Sequence, residues 1–169
     1  MSRHHSKHKQ FSSQASNHKR WIFLSIGLAV AVGLLGFAIF ANSAADEPRA
    51  TRVVAENGVV RIPLASIGSN ATFFEYNSQN SKKVRFFVVK SSDGVYRAAA
   101  DACEVCYREK KGYRQQGDDM VCKKCGQHFA FNKVNDITGG CTPSAIHRTV
   151  DGQSLLIAAA DLEAHAVLF

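Results

Sequence analysis

A chain of 169 residues, 46% hydrophobic and 21% charged, is long enough for one domain of ordinary size and too short for two large ones. That composition excludes a disordered chain, a collagen-like chain and a polytopic membrane protein. The formal net charge of +7 sits largely in residues 1–20, which carry Arg3, Lys7, Lys9, Lys19 and Arg20 and no acid. The remainder is close to neutral and shows no basic stripe interleaved with aromatics, so no nucleic-acid partner is expected.

Taken in chain order, residues 1–20 form a basic tail. Residues 21–41 follow without a single charge, and a helix of that length spans roughly 30 Å, the thickness of a bilayer's hydrocarbon core. Trp21 suits the headgroup region, Lys19 and Arg20 flank that end, and Asp46 and Glu47 follow the other. The positive-inside rule then puts the tail in the cytoplasm and the rest of the chain outside it, as a single-pass protein. The competing reading is a cleaved signal peptide, with small residues at 41–45 for a peptidase. The apolar run exceeds the usual h-region of about 7–15 residues, which favours an uncleaved anchor. Both readings export the C-terminal part. A linker over 42–50 leads into an exported domain over 51–169.

That domain reads as mainly β. Segments 51–55 and 59–62 flank Glu56, Asn57 and Gly58, a hairpin signal because Asn and Gly tolerate positive φ. Segments 71–76 and 84–90 are rich in aromatic and β-branched residues and predict two more strands. A turn over 91–94 leads into a strand at 95–99. Residues 149–150 and 154–158 predict a closing hairpin around Asp151 and Gly152. A short helix is expected over 161–167. Between 99 and 149 lies a segment poor in hydrophobic periodicity. Such a segment seldom folds on a core of its own, so something else is expected to hold it.

The five cysteines fall in that segment. Cys103 and Cys106 form one C-x-x-C pair and Cys122 and Cys125 a second, with 15 residues between them. This spacing belongs to four-thiolate metal sites: a two-residue spacer lets both sulfurs of a tight turn face one ion, and two such turns complete a tetrahedron. Gly126 lets the backbone turn beneath the second pair. Zinc fits four thiolates and would make the segment a structural ribbon, and an iron–sulfur cluster fits the same set. Cys141, in a Gly139-Gly140-Cys141 turn, is a fifth thiol that a closed zinc site does not need. His128, three residues after Cys125, is a further candidate ligand. Disulfide bonding would leave one of five thiols over, and neither pair opens a helix in a βαβ unit as a thioredoxin-like motif would. No nucleophile–base set, phosphate-cradling loop or supported carboxylate pair names an enzyme or a substrate.

With these residues laid out, the chain from 84 to 169 resembles the exported domain of the FtrD-like, membrane iron–sulfur-containing proteins of bacteria. The resemblance is carried by Asp101, Cys103, Cys106 and Tyr107, by Val121, Cys122, Cys125, Gly126 and Phe129, and by Ile137, Gly139, Gly140, Cys141 and Pro143. It covers about half of the chain. It implies a bacterial inner-membrane accessory that handles electrons or iron at the outer face, beside a permease or redox partner. Many relatives carry several spans, whereas one is expected here, an anchor without intramembrane ligands.

The expectation is therefore a single N-terminal transmembrane helix plus a small mainly-β exported domain with a Cys-rich metal-binding insertion. The candidate ligands are Cys103, Cys106, Cys122, Cys125, Cys141 and His128. The candidate cofactor is an iron–sulfur cluster or iron, with zinc as the alternative. The leading function is a redox or iron-handling accessory to a metal transport system. A zinc-ribbon interaction module and a thiol–disulfide protein are the alternatives.

Overall fold

The structure is a computed structural model that describes residues 49–169. The basic tail, the apolar segment at 21–41 and most of the linker lie outside the described residues. Among the described residues no helix is long and apolar enough to cross a membrane.

The central sheet has four strands in the order β1 (Thr51–Val53), β3 (Thr72–Asn77), β4 (Lys83–Lys90) and β5 (Tyr96–Ala100). β3, β4 and β5 form an antiparallel meander, and β1 joins its edge in parallel register. The turn between β4 and β5 is held by Asp93, whose Oδ1 accepts from Ser91 Oγ and from the backbone N–H of Val95. Gly94 supplies the positive φ of 83° that this turn requires.

β4 is the spine of the domain because it is buried on both faces. Alternate side chains of a strand point to opposite faces, and here each face meets its own core. Val84, Phe86 and Val88 face one way. They join Phe74 of β3, Val60 and Ile62 of β2 (Val59–Pro63), Leu155 and Ile157 of β10 (Ser154–Ala158), and Leu162 of helix α1 (Ala159–His165). The rings of Phe74 and Phe86 stack at 5.5 Å between centroids. Phe86 is fully buried at the centre of this set. Phe86→Ala is expected to destabilise the domain by about 3–5 kcal/mol, read as a shift in the denaturant midpoint.

β2, β10 and β9 (Thr149–Asp151) make the second sheet, antiparallel throughout. The expected hairpin between 51–55 and 59–62 is thus only half realised. Its turn exists: Asn57 and Gly58 have φ of 51° and 78°, and Glu56 and Val59 exchange two backbone hydrogen bonds. Beyond the turn the two strands diverge into different sheets. Val60 and Ile62 gain a buried place beside Leu155 and Ile157 by pairing with β10, while β1 pairs with β3 and packs Val53 against the same core. Tertiary burial overrode the local hairpin. The closing hairpin and the C-terminal helix are present, and the helix runs on into a 3-10 turn at Ala166–Leu168.

The cysteine-bearing segment forms a third antiparallel sheet, β6 (Tyr113–Gln116), β7 (Asp119–Cys122) and β8 (His128–Ala130). It packs on the other face of the central sheet. Phe73, Phe87, Val89 and Ala99 from that face share a core with Tyr113, Met120, Phe131 and Val134. The segment has no core of its own, as expected: the central sheet holds it by presenting a ready apolar face.

Candidate metal centre

Each thiol is placed by a piece of this framework. Cys103 follows β5 after a two-residue extension, and both Cys103 and Cys122, the last residue of β7, are buried. The backbone N–H of Cys106 donates to the Cys103 sulfur at 3.1 Å, closing the first C-x-x-C turn around its own ligand atom. That turn runs into a 3-10 helix at Tyr107–Glu109. The second turn closes with the Gly126 N–H donating to the Cys122 carbonyl at 2.9 Å, and Gly126 takes the positive φ of 74° there. Lys124 and Glu109 bridge the two loops at 3.1 Å. That pair is exposed, so its contribution is at most about 1 kcal/mol.

Cys141 reaches the same place from further along the chain. Residues 144–146 run along the open edge of β5. The Ala100 N–H donates to the Ser144 carbonyl, and the Ile146 N–H to the Ala98 carbonyl. Just before this stretch Asn135 pairs with β5 through its side chain, which accepts from the Ala98 N–H and donates to the Ala98 carbonyl. Buried Arg97 fixes the neighbouring loop by donating to the Val134 carbonyl and to Asp136. The buried Tyr113 hydroxyl then donates to the Cys141 carbonyl at 2.6 Å and holds the Gly-Gly-Cys turn over the cluster.

The result is two close triads that share one member. The sulfurs of Cys103, Cys106 and Cys141 lie within 4.8 Å of one another, and so do those of Cys106, Cys122 and Cys125. Cys106 and Cys141 are 3.5 Å apart, and none of the five is in a disulfide. Such separations belong to thiolates that share an ion: sulfurs about 2.3 Å from a tetrahedral centre lie roughly 3.8 Å from each other. The donor set is all sulfur, which suits zinc, copper(I) or iron–sulfur chemistry and not magnesium or calcium. These residues therefore fit a thiophilic metal, and either triad could hold one. Exposure is graded across them, with Cys125 exposed and Cys106 and Cys141 half-buried.

The thiols act on one another electrostatically. Cys106 is pushed up from its ordinary value, first by the Cys141 sulfur beside it and then by burial and the charges of Cys103 and Cys122. For Cys141 the Cys106 contact pulls downward, but contact with Cys125, burial and repulsion from Cys103 and Cys125 outweigh it. Cys125 moves down, chiefly because the Gln127 backbone N–H faces its sulfur. Crowded thiols keep their protons because two neighbouring thiolates repel, and a bound cation removes that conflict. Burial above all raises Tyr113, which stays a neutral donor.

His128 belongs to neither triad. Its Nδ1 lies 3.1 Å from Asp119 Oδ2, on the exposed side of the β7–β8 ladder. Asp101 supports the site without belonging to the ligand set. It is buried, its Oδ2 lies 3.1 Å from Arg85 Nε, and its Oδ1 accepts from the Tyr113 N–H at 2.6 Å. It ties the end of β5 to the start of β6, and so fixes Cys103 relative to Cys122. A lone acid two residues before a C-x-x-C pair carries no signal of burial.

A small β domain that borrows one face of its sheet to gather five thiols carries a cysteine set that could hold a metal ion. Residues 68–169 match the family model described as membrane iron-sulfur containing protein FtrD-like, and the chain belongs to that family. The match contains all five cysteines and begins after β2. No curated protein matches the chain.

Proposed function

We propose that this chain is a single-pass protein of the bacterial inner membrane, anchored through residues 21–41 with its tail in the cytoplasm. Its extracytoplasmic domain, residues 51–169, holds iron on cysteine and serves a metal transport system as a redox or iron-handling accessory. The proposed ligands are Cys103, Cys106, Cys122 and Cys125, with Cys141 as a fifth thiol able to replace one of them, and His128 stays with Asp119. The observation that carries this reading is the pair of thiol triads meeting at Cys106. It is supported by membership of a family described as membrane and iron–sulfur containing. Thiolate-bound iron supplies one-electron chemistry at a potential set by its hydrogen bonds and exposure. The chain's own part is to orient the sulfurs, to donate backbone N–H groups such as that of Cys106, and to exclude water with the Phe87, Tyr113 and Phe131 side.

A structural zinc ribbon is the second reading, favoured by the β6–β7 hairpin that connects the two C-x-x-C turns. Metal analysis, acid-labile sulfide and an absorption spectrum on the full chain, purified without oxygen or chelator, separate the two. Iron with visible absorption is expected. Near-stoichiometric zinc without colour would sink the iron reading and leave a ribbon that unfolds when stripped of metal. Absence of both metals would sink both readings.

A further inference from the structure

A cavity of about 530 Å³ opens beside the thiols. Cys103, Cys106 and Cys122 lie in its wall, so whatever enters it meets the cluster. Its charge is lopsided. Six basic side chains line it, against the acids Glu75 and Asp101 alone. Both acids are already engaged: Asp101 with Arg85 and the Tyr113 N–H, Glu75 within 3.8 Å of both Arg52 and Lys83. Lys82 donates to the Ala166 carbonyl and Lys124 pairs with Glu109. Lys110 and Lys111 are exposed at the cavity and make no ion pair among the described residues.

The loop that carries these two lysines is held in an uncommon conformation. Lys110 is left-handed, with φ 51°, and Gly112 has φ 64°. The Lys110 N–H closes the preceding 3-10 turn on the Tyr107 carbonyl, and Gly112 is pressed against the Asp101 carboxylate. A non-glycine residue in this region carries a cost that the surroundings must hold, and such positions cluster at ligand sites.

We propose that this cavity binds a small organic polycarboxylate, with Lys110 and Lys111 as its principal charge partners. Its volume lies within the roughly 300–1,000 Å³ of small-molecule sites. A basic lining concentrates anions, and lysines act as separate point charges, which suits several carboxylates spread along one molecule. Leu168, Phe169 and the Tyr107 ring add apolar surface that a bare inorganic anion would not use. The inference deepens the iron-handling reading, on which its purpose rests. A polycarboxylate that chelates iron would be seated with its metal against the sulfurs.

The test is calorimetric titration of the metal-free full chain in detergent with citrate, then with inorganic phosphate and acetate. Saturable citrate binding is expected, weakened roughly tenfold or more by Lys110→Gln with Lys111→Gln and by added salt, and retained when both lysines become arginine. Phosphate or acetate binding as tightly as citrate would overturn the polycarboxylate assignment. No saturable citrate binding, or citrate binding unchanged in the double glutamine variant, would overturn the site. Citrate binding by a chain that takes up no iron upholds the cavity and sinks the iron reading. Iron uptake without citrate binding does the reverse.

Discussion

Cys106→Ser is expected to strip the centre of its metal, with an effect beyond the roughly 10–100-fold loss of affinity that removing an outer partner of a metal site causes. Cys106 is the one thiol common to both triads, and its sulfur is 3.5 Å from that of Cys141. Without it, Cys103 and Cys141 remain as one pair and Cys122 and Cys125 as another. A serine hydroxyl is a hard donor that binds thiophilic metals poorly. Cys141→Ser leaves the Cys106, Cys122 and Cys125 triad intact and is expected to retain much more metal. Metal content per chain, measured side by side after anaerobic purification, decides the matter. A Cys106→Ser protein with a full complement of metal would show that the shared position has no special weight.

Gly112→Ala is expected to be the most damaging single methyl in the domain, at about 3–5 kcal/mol of stability. A Cβ there would stand 2.5 Å from Asp101 Oδ1 and 2.6 Å from Oδ2, on a backbone with φ 64°. The left-handed conformation alone costs a non-glycine residue about 1–2 kcal/mol. Displacement of Asp101 accounts for the rest. To make room, its carboxylate must turn from Arg85 Nε and the Tyr113 N–H, in a place largely closed to bulk water. Breaking a buried pair by displacing one partner is far more harmful than never having had it. Urea unfolding of wild type and variant measures the difference. A loss under about 1 kcal/mol would mean the 110–113 loop can shift as a unit and that Asp101 does not fix it.

How far the sequence led can be judged at particular residues. The strands at 71–76 and 84–90 were legible because Phe73, Phe74, Phe86 and Phe87 sit in dense β-branched and aromatic runs. The cysteine spacing foretold that thiols would meet, and they do. Their division into triads was not legible, because it depends on Cys141 arriving by way of the β5 edge. Strands β6 and β7 do carry a local signal, though a short one. Gly117 and Asp118 make a two-residue turn between Gln116 and Asp119, a Gly-Asp hairpin masked by the polar residues around it. The partner of β2 could not be read locally, since the Asn57-Gly58 turn is sound and only burial with β10, some ninety residues on, sends the strands apart.

β4 has a consequence for how this chain can change over generations. In a strand with one wet face, every second residue drifts freely. Here neither parity is spare: Val84, Phe86 and Val88 answer to one core, Phe87 and Val89 to the other. A substitution that suits the sheet sandwich also shifts the backbone beneath the thiols. Innovation in the metal loops is therefore free to run ahead, while the strand on which they rest is held nearly still.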